Sequence, residues 1–110
     1  MSMTKTPIYI AGVAMTRFGR HEAGMPELAQ QAVSDAAGGA GIELGGAPAL
    51  YTANVFGGMV LGQVLLRDLG LPGLPIYNVE NACASGATGV HLACHALAAG
   101  GDDTGVVLGA

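Results

Sequence analysis

Short apolar runs alternate with helical stretches along the chain, and glycine or proline separates them. Pro7–Ala14 (PIYIAGVA) is aliphatic almost throughout, which is the pattern of a strand covered on both faces. A polar loop, Thr16–Gly24, follows. Pro26 suits the first turn of a helix and Glu27 complements its positive end. Leu28, Ala29, Ala32, Val33, Ala36 and Ala37 keep helical spacing, and Gly38, Gly39 and Gly41 weaken and stop that helix. Ala49–Phe56 reads as a second strand and Gly57–Gly58 as a turn. Gly62–Leu69 reads as a short helix with Val64, Leu65 and Leu69 apolar and Arg67–Asp68 turned outward, ended by Gly70, Pro72 and Gly73. Pro75–Val79 is a third strand, Ala84–Ala99 a long helix, and Gly105–Gly109 a fourth strand. The order βαβαβαβ predicts an α/β fold with a mostly parallel sheet.

The long helix is apolar on nearly every side, which predicts burial. Composition extends that expectation to the whole chain. Of the 110 residues, 51% are hydrophobic and 11% charged, against about 25% charged in a typical soluble domain. Between Leu69 and Gly101 the only charge is Glu80. A free domain of this size has much surface to cover, so apolar patches at interfaces are expected. Three helices over four strands also cover a parallel sheet thinly. Residues 1–110 therefore read as a partial N-terminal domain whose remaining faces are covered by further protein.

Charge and hydropathy exclude several classes. A net charge of −4 lacks the basic footprint of a nucleic-acid binder, and the hydrophobic content excludes intrinsic disorder. Leu44–Leu66 and Asn81–Gly101 are uncharged and long enough to span a bilayer. The first carries Pro48 and five glycines, the second Asn81, Ser85, Thr88 and two histidines, so neither suits lipid. Lys5 followed by Ile8–Met15 only faintly mimics a signal peptide. A cytoplasmic protein is the expectation. Cys83 and Cys94 are too few for a disulfide framework. On one helix they would stand about 16 Å apart, too far to bond.

The stretch Asn78–Gly89 (NVENACASGATG) carries the candidate chemistry. Cys83 falls between a predicted strand and the first turn of the long helix. Unpaired N–H groups at a helix start favour negative charge there, and thiolate is the nucleophilic form of cysteine. The same donors could stabilise an oxyanion on an acyl group attached to the sulfur. Position alone leaves a second reading open, in which Cys83 is a small buried hydrophobe.

The segments IYIAGVAMTRFGRH, ELAQQAVSDA, NVFGGM, GQVLLRDLGL, PIYNVENACASGATG and GVVLGA occur in that order over nearly the whole chain. In that order they resemble the thiolase superfamily, and most closely its lipid-transfer or SCP-x-like branch. Condensing enzymes of fatty-acid synthesis have a similar cysteine context. The resemblance implies that Cys83 accepts an acyl group and lends its N–H to an oxyanion hole. It implies CoA as co-substrate, acyl-CoA as substrate, no bound cofactor, no metal, and a homodimer or higher oligomer. Asn81, Ser85 and Gly86 are secondary candidates for substrate binding; Asn81 could instead hold the loop or cap the helix. In thiolases the histidine base, the second cysteine and most of the CoA-binding loop lie farther along the chain. Cys94, His91 and His95 do not match those motifs.

Other features have plainer readings. His91 and His95 share a helical face at a spacing that could ligate zinc, or they are satisfied histidines held in a mostly apolar helix. His21 lies in a polar loop, and Lys5, Arg17 and Arg20 could meet CoA phosphates or simply be solvated. Gly57, Gly58 and Gly62 match no phosphate-binding fingerprint and read as a turn. Three function classes follow. They are a thiolase-type acyltransferase, a non-catalytic acyl-CoA- or lipid-binding subunit, and, least favoured, a nucleotide-binding α/β module.

Overall fold

The computed structural model describes residues 6–46, 49–70 and 73–110. Lys5, Pro48 and Pro72 lie outside them. Seven elements follow one another: helix α1 (Met25–Ala40), a 3-10 turn (Leu44–Gly46), strand β1 (Ala49–Ala53), helix α2 (Leu61–Asp68), strand β2 (Ile76–Val79), helix α3 (Ser85–Ala98) and strand β3 (Gly105–Gly109). The strands form one parallel sheet in the order β2-β1-β3.

The central strand shows why this arrangement holds. All five residues of β1 are buried, and its side chains alternate between two helical layers. Leu50 joins Ala29 and Val33 of α1, Leu65 and Leu66 of α2 and Leu108 of β3 in one core. Ala49 and Tyr51 face the other way, onto Ala93 of α3. Burial of a side chain such as Leu65 contributes about 1.5–3 kcal/mol. The chain leaves β1 for one neighbour through α2, then returns past β1 to the opposite edge through α3. Crossovers of one hand that travel in opposite directions place their helices on opposite faces.

Two glycines set how closely the helices approach. A Cβ on Gly62 would stand 2.5 Å from Ile76 Cγ2 and 2.8 Å from Thr52 Oγ1, and one on Gly89 would stand 3.0 Å from Val107 Cγ1. Thr52 is 0% exposed and its hydroxyl has no hydrogen-bond partner among the described residues. Tyr51 stacks on Tyr77 with ring centroids 5.0 Å apart. Burial, then the neighbouring Tyr77 and Asp102, push the Tyr51 phenol up.

Several expectations are corrected. Pro7–Ala14 forms no strand, so the described sheet has three strands and not four. Gly12 sits against the backbone of α1 at Ala36 and Ala40. The 12–16 segment is thereby held on that helix, with a cavity of about 250 Å³ between it, α1 and β3. Tyr9 and Ile10 are 82% and 85% exposed. An apolar run becomes a strand only when an edge pairs with it, and here a cavity lies between the 12–16 segment and β3, the strand edge on its side of the sheet.

β1 also ends at Ala53, before Val55 and Phe56, because Asn54 turns the chain. Its N–H still reaches Val79 C=O at 3.2 Å, while its side-chain oxygen accepts the Gly57 N–H at 3.0 Å. α1 runs through Gly38 and Gly39 and stops only at Gly41, whose φ of 70° is left-handed. α3 is not buried all round. Ser85, Gly89 and Ala93 are its buried residues, while Val90 and Leu92 are exposed. In α2 the buried residues are Leu61, Gly62, Leu65 and Leu66, and Leu69 just past its end packs partly buried against the same core. No helix among the described residues is long and apolar enough to cross a membrane.

The contact at Gly62 generates a direct test of the α2 layer. Gly62→Ala is expected to destabilise the fold by about 1–3 kcal/mol, because the helix must lift from β1 and β2 to admit a methyl group. Denaturant unfolding measures this, and an unchanged midpoint would refute the packing described.

Candidate functional site

The parallel ladder brings the carboxyl ends of β1 and β2 side by side, with Ala53 opposite Val79. From there the loop after β1 leads to α2 on one face, and the loop after β2 leads to α3 on the other. A crevice opens where adjacent connections diverge in this way, at the ends of parallel strands where ligands bind in open α/β sheets. Both loops carry backbone in an unusual conformation. Val60 (φ 54°) and Ala82 (φ 47°) are the non-glycine residues with positive φ among those described. Such a conformation disfavours an L-residue by about 1–2 kcal/mol, and strain of this kind concentrates at functional sites.

Hydrogen bonds hold both loops in place. Asn78 of β2 accepts the Gly62 N–H at 2.9 Å and donates to Gln63 Oε1 at 2.7 Å. It thus serves the start of α2, where Val60 provides no side-chain cap. In the loop after β2, the Ala82 N–H donates to the Glu80 carboxylate. The Ser85 hydroxyl accepts the Asn81 N–H at 2.7 Å and donates to Ala82 C=O at 2.7 Å. The Asn81 side-chain N–H donates to Thr88 Oγ1 at 3.0 Å, and that hydroxyl donates to Ala84 C=O at 2.9 Å. Glu80, the lone charge of its region, is therefore engaged with the loop backbone.

Cys83 stands on this turn and is exposed. The N–H groups of Ala84 and Ser85 donate to the carbonyls of Asn81 and Ala82, and the bond that enters the helix runs from Thr88 N–H to Ala84 C=O. Those of Gly86 and Ala87 have no partner among the described residues, as a helix start leaves them. A Cβ on Gly86 would meet nothing within 4 Å, so the approach to this end of α3 is open. An exposed sulfur beside unpaired N–H donors can attack a carbonyl carbon while the donors receive the developing oxyanion.

Comparison with known proteins fits this geometry. Residues 8–110 match the family model of the thiolase N-terminal domain. The chain belongs to the thiolase family. It is 41% identical over 107 residues to the benzoylsuccinyl-CoA thiolase subunit BbsB of Thauera aromatica, covering 93% of this chain and 27% of that one. It is 35% identical over 107 residues to non-specific lipid-transfer protein-like 2 of Caenorhabditis elegans, covering 94% and 26%. The solved acetyl-CoA acetyltransferase of Syntrophomonas wolfei superposes with a TM-score of 0.69 at 26% identity, over 91% of this chain and 27% of that one. This thiolase segment spans about a quarter of the length of the curated relatives it matches.

The expected site residues separate into two groups. Cys83, Asn81, Ser85 and Gly86 come together on the turn after β2 and the first turn of α3. The remaining candidates lie elsewhere. His91 and His95 have their Nε2 atoms 2.9 Å apart on the exposed side of α3. No group of three potential metal ligands occurs among the described residues. His21 bonds to the Arg17 carbonyl at 2.8 Å in the segment before α1. Glycine-rich Gly57–Gly62 serves the turn and the α2 contact. Sequence reasoning missed the roles of Glu80, Asn78 and Ala82. Only Glu80 carried a signal, as an isolated charge beside the cysteine.

Proposed function

We propose that this thiolase segment supplies the acyl-accepting nucleophile of a thiolase-type acyltransferase. In the degradative direction the Cys83 thiolate attacks the keto carbon of a 3-ketoacyl-CoA. A carbon–sulfur bond forms, the bond between the keto carbon and its α-carbon breaks, and the α-carbon takes up a proton. The acyl group then passes from Cys83 to the thiol of a second CoA. The condensation direction reverses these steps. The groups that move the protons come, in this reading, from the remaining three-quarters of a thiolase that this chain does not span. The observation that carries the proposal is the placement of an exposed cysteine on a left-handed turn at the carboxyl end of the sheet, within a matched thiolase domain.

The likeness to a lipid-transfer protein favours a second reading, a non-catalytic subunit that binds acyl-CoA. One experiment separates the two. Incubation with excess acetoacetyl-CoA, in the presence of a complementary C-terminal thiolase half, is expected to leave an acetyl adduct on Cys83 by peptide mass spectrometry. Cys83→Ala abolishes it. Saturable binding of the thioester without any adduct would sustain the subunit reading and overturn the acyltransferase.

The outer edge of β2, which pairs with no strand among the described residues, supports a homodimer. Its outer N–H and C=O groups are open to a second strand, and Tyr77 beside them is half-exposed. Mass measured across a dilution series is expected to show a dimer that dissociates only at low concentration. A soluble monomer at every concentration contradicts it.

A further inference from the structure

The turn that carries Cys83 holds a residue whose role differs from the one its position first suggests. We propose that Ser85 is a positioning residue for Cys83, acting through the backbone of Ala82 and not through contact with substrate; this rests on the reading of Cys83 as the nucleophile. Ser85 is 5% exposed. Its single hydroxyl proton is given to Ala82 C=O, and its oxygen receives the Asn81 N–H. The proton a substrate would need is already committed.

The same carbonyl also receives the Ser85 N–H at 3.1 Å. Ala82 is therefore gripped at both peptide flanks, by Glu80 at its N–H and by Ser85 at its C=O. A left-handed alanine needs such over-determination, since its intrinsic preference runs the other way. Cys83 is the next residue, so the φ of Ala82 decides where the sulfur stands relative to the N–H groups at the head of α3. Release of the clamp lets Ala82 return to negative φ and carries the sulfur away from them.

The test uses iodoacetamide, which needs no acyl-CoA, so its result is independent of whether Cys83 is ever acylated. The rate of Cys83 alkylation at neutral pH is followed by peptide mass spectrometry, with thermal melting as the control for folding. Ser85→Ala is expected to slow Cys83 by about tenfold. Adding Ala82→Gly, which adopts the left-handed conformation without help, is expected to restore most of the rate although the hydroxyl is still missing. A rate unchanged in Ser85→Ala, or a loss that the glycine does not rescue in a folded double variant, overturns the proposal. Absence of an acyl adduct on wild-type Cys83 would instead overturn the acyltransferase and leave the positioning result standing.

Discussion

A left-handed alanine is the constraint around which the site is organised. Ala82 adopts φ 47°, which places Cys83 on an exposed turn instead of continuing β2 into α3. Nothing in an alanine favours this conformation, so the surroundings must impose it. Glu80, Asn81, Ser85 and Thr88 each give a polar group to the turn or to the chain that follows it. A turn built this way has little freedom, and preorganised donors help a developing oxyanion most when they need not move.

The turn depends in turn on the sheet. β1 is buried on both faces and paired on both edges, so its register with β2 and β3 is tightly specified. That register places Asn54 against Val79, and it lets Asn78 reach across to the start of α2. The opposite directions of the two crossovers then send the loops after β1 and β2 to opposite faces of the sheet. Thiolase membership and this geometry agree without either being needed to derive the other. The match gives the family, and the turn shows where this chain's own hydrogen bonds place Cys83.

Much of this was legible from residue order. The three strands that form and the three helices follow apolar runs punctuated by glycine and proline, and their observed limits differ from expectation mainly at the ends. Those differences have local causes. Asn54 bends the chain although Val55 and Phe56 look like strand residues, and α1 passes two glycines before Gly41 supplies the left-handed stop. Pro7–Ala14 forms no strand despite its apolar pattern, because strand formation needs an edge partner, which no single segment reveals. At the site, the cysteine between strand and helix was plain. The left-handed Ala82 was not, because it arises from hydrogen bonds and not from its own side chain. The Asn78 bond to Gly62, sixteen positions away, depends on which strands become neighbours.

The left-handed presentation of Cys83 is tested most directly at the backbone of Ala82 itself. In solution NMR of the chain, a left-handed residue shows a strong intraresidue cross-peak between its amide and α protons, because positive φ brings them close. A strong cross-peak is expected at Ala82, with single, sharp resonances for Glu80–Ser85. A weak cross-peak, of the strength seen for helical and extended neighbours, would place Ala82 at negative φ and contradict the presentation of Cys83 described above.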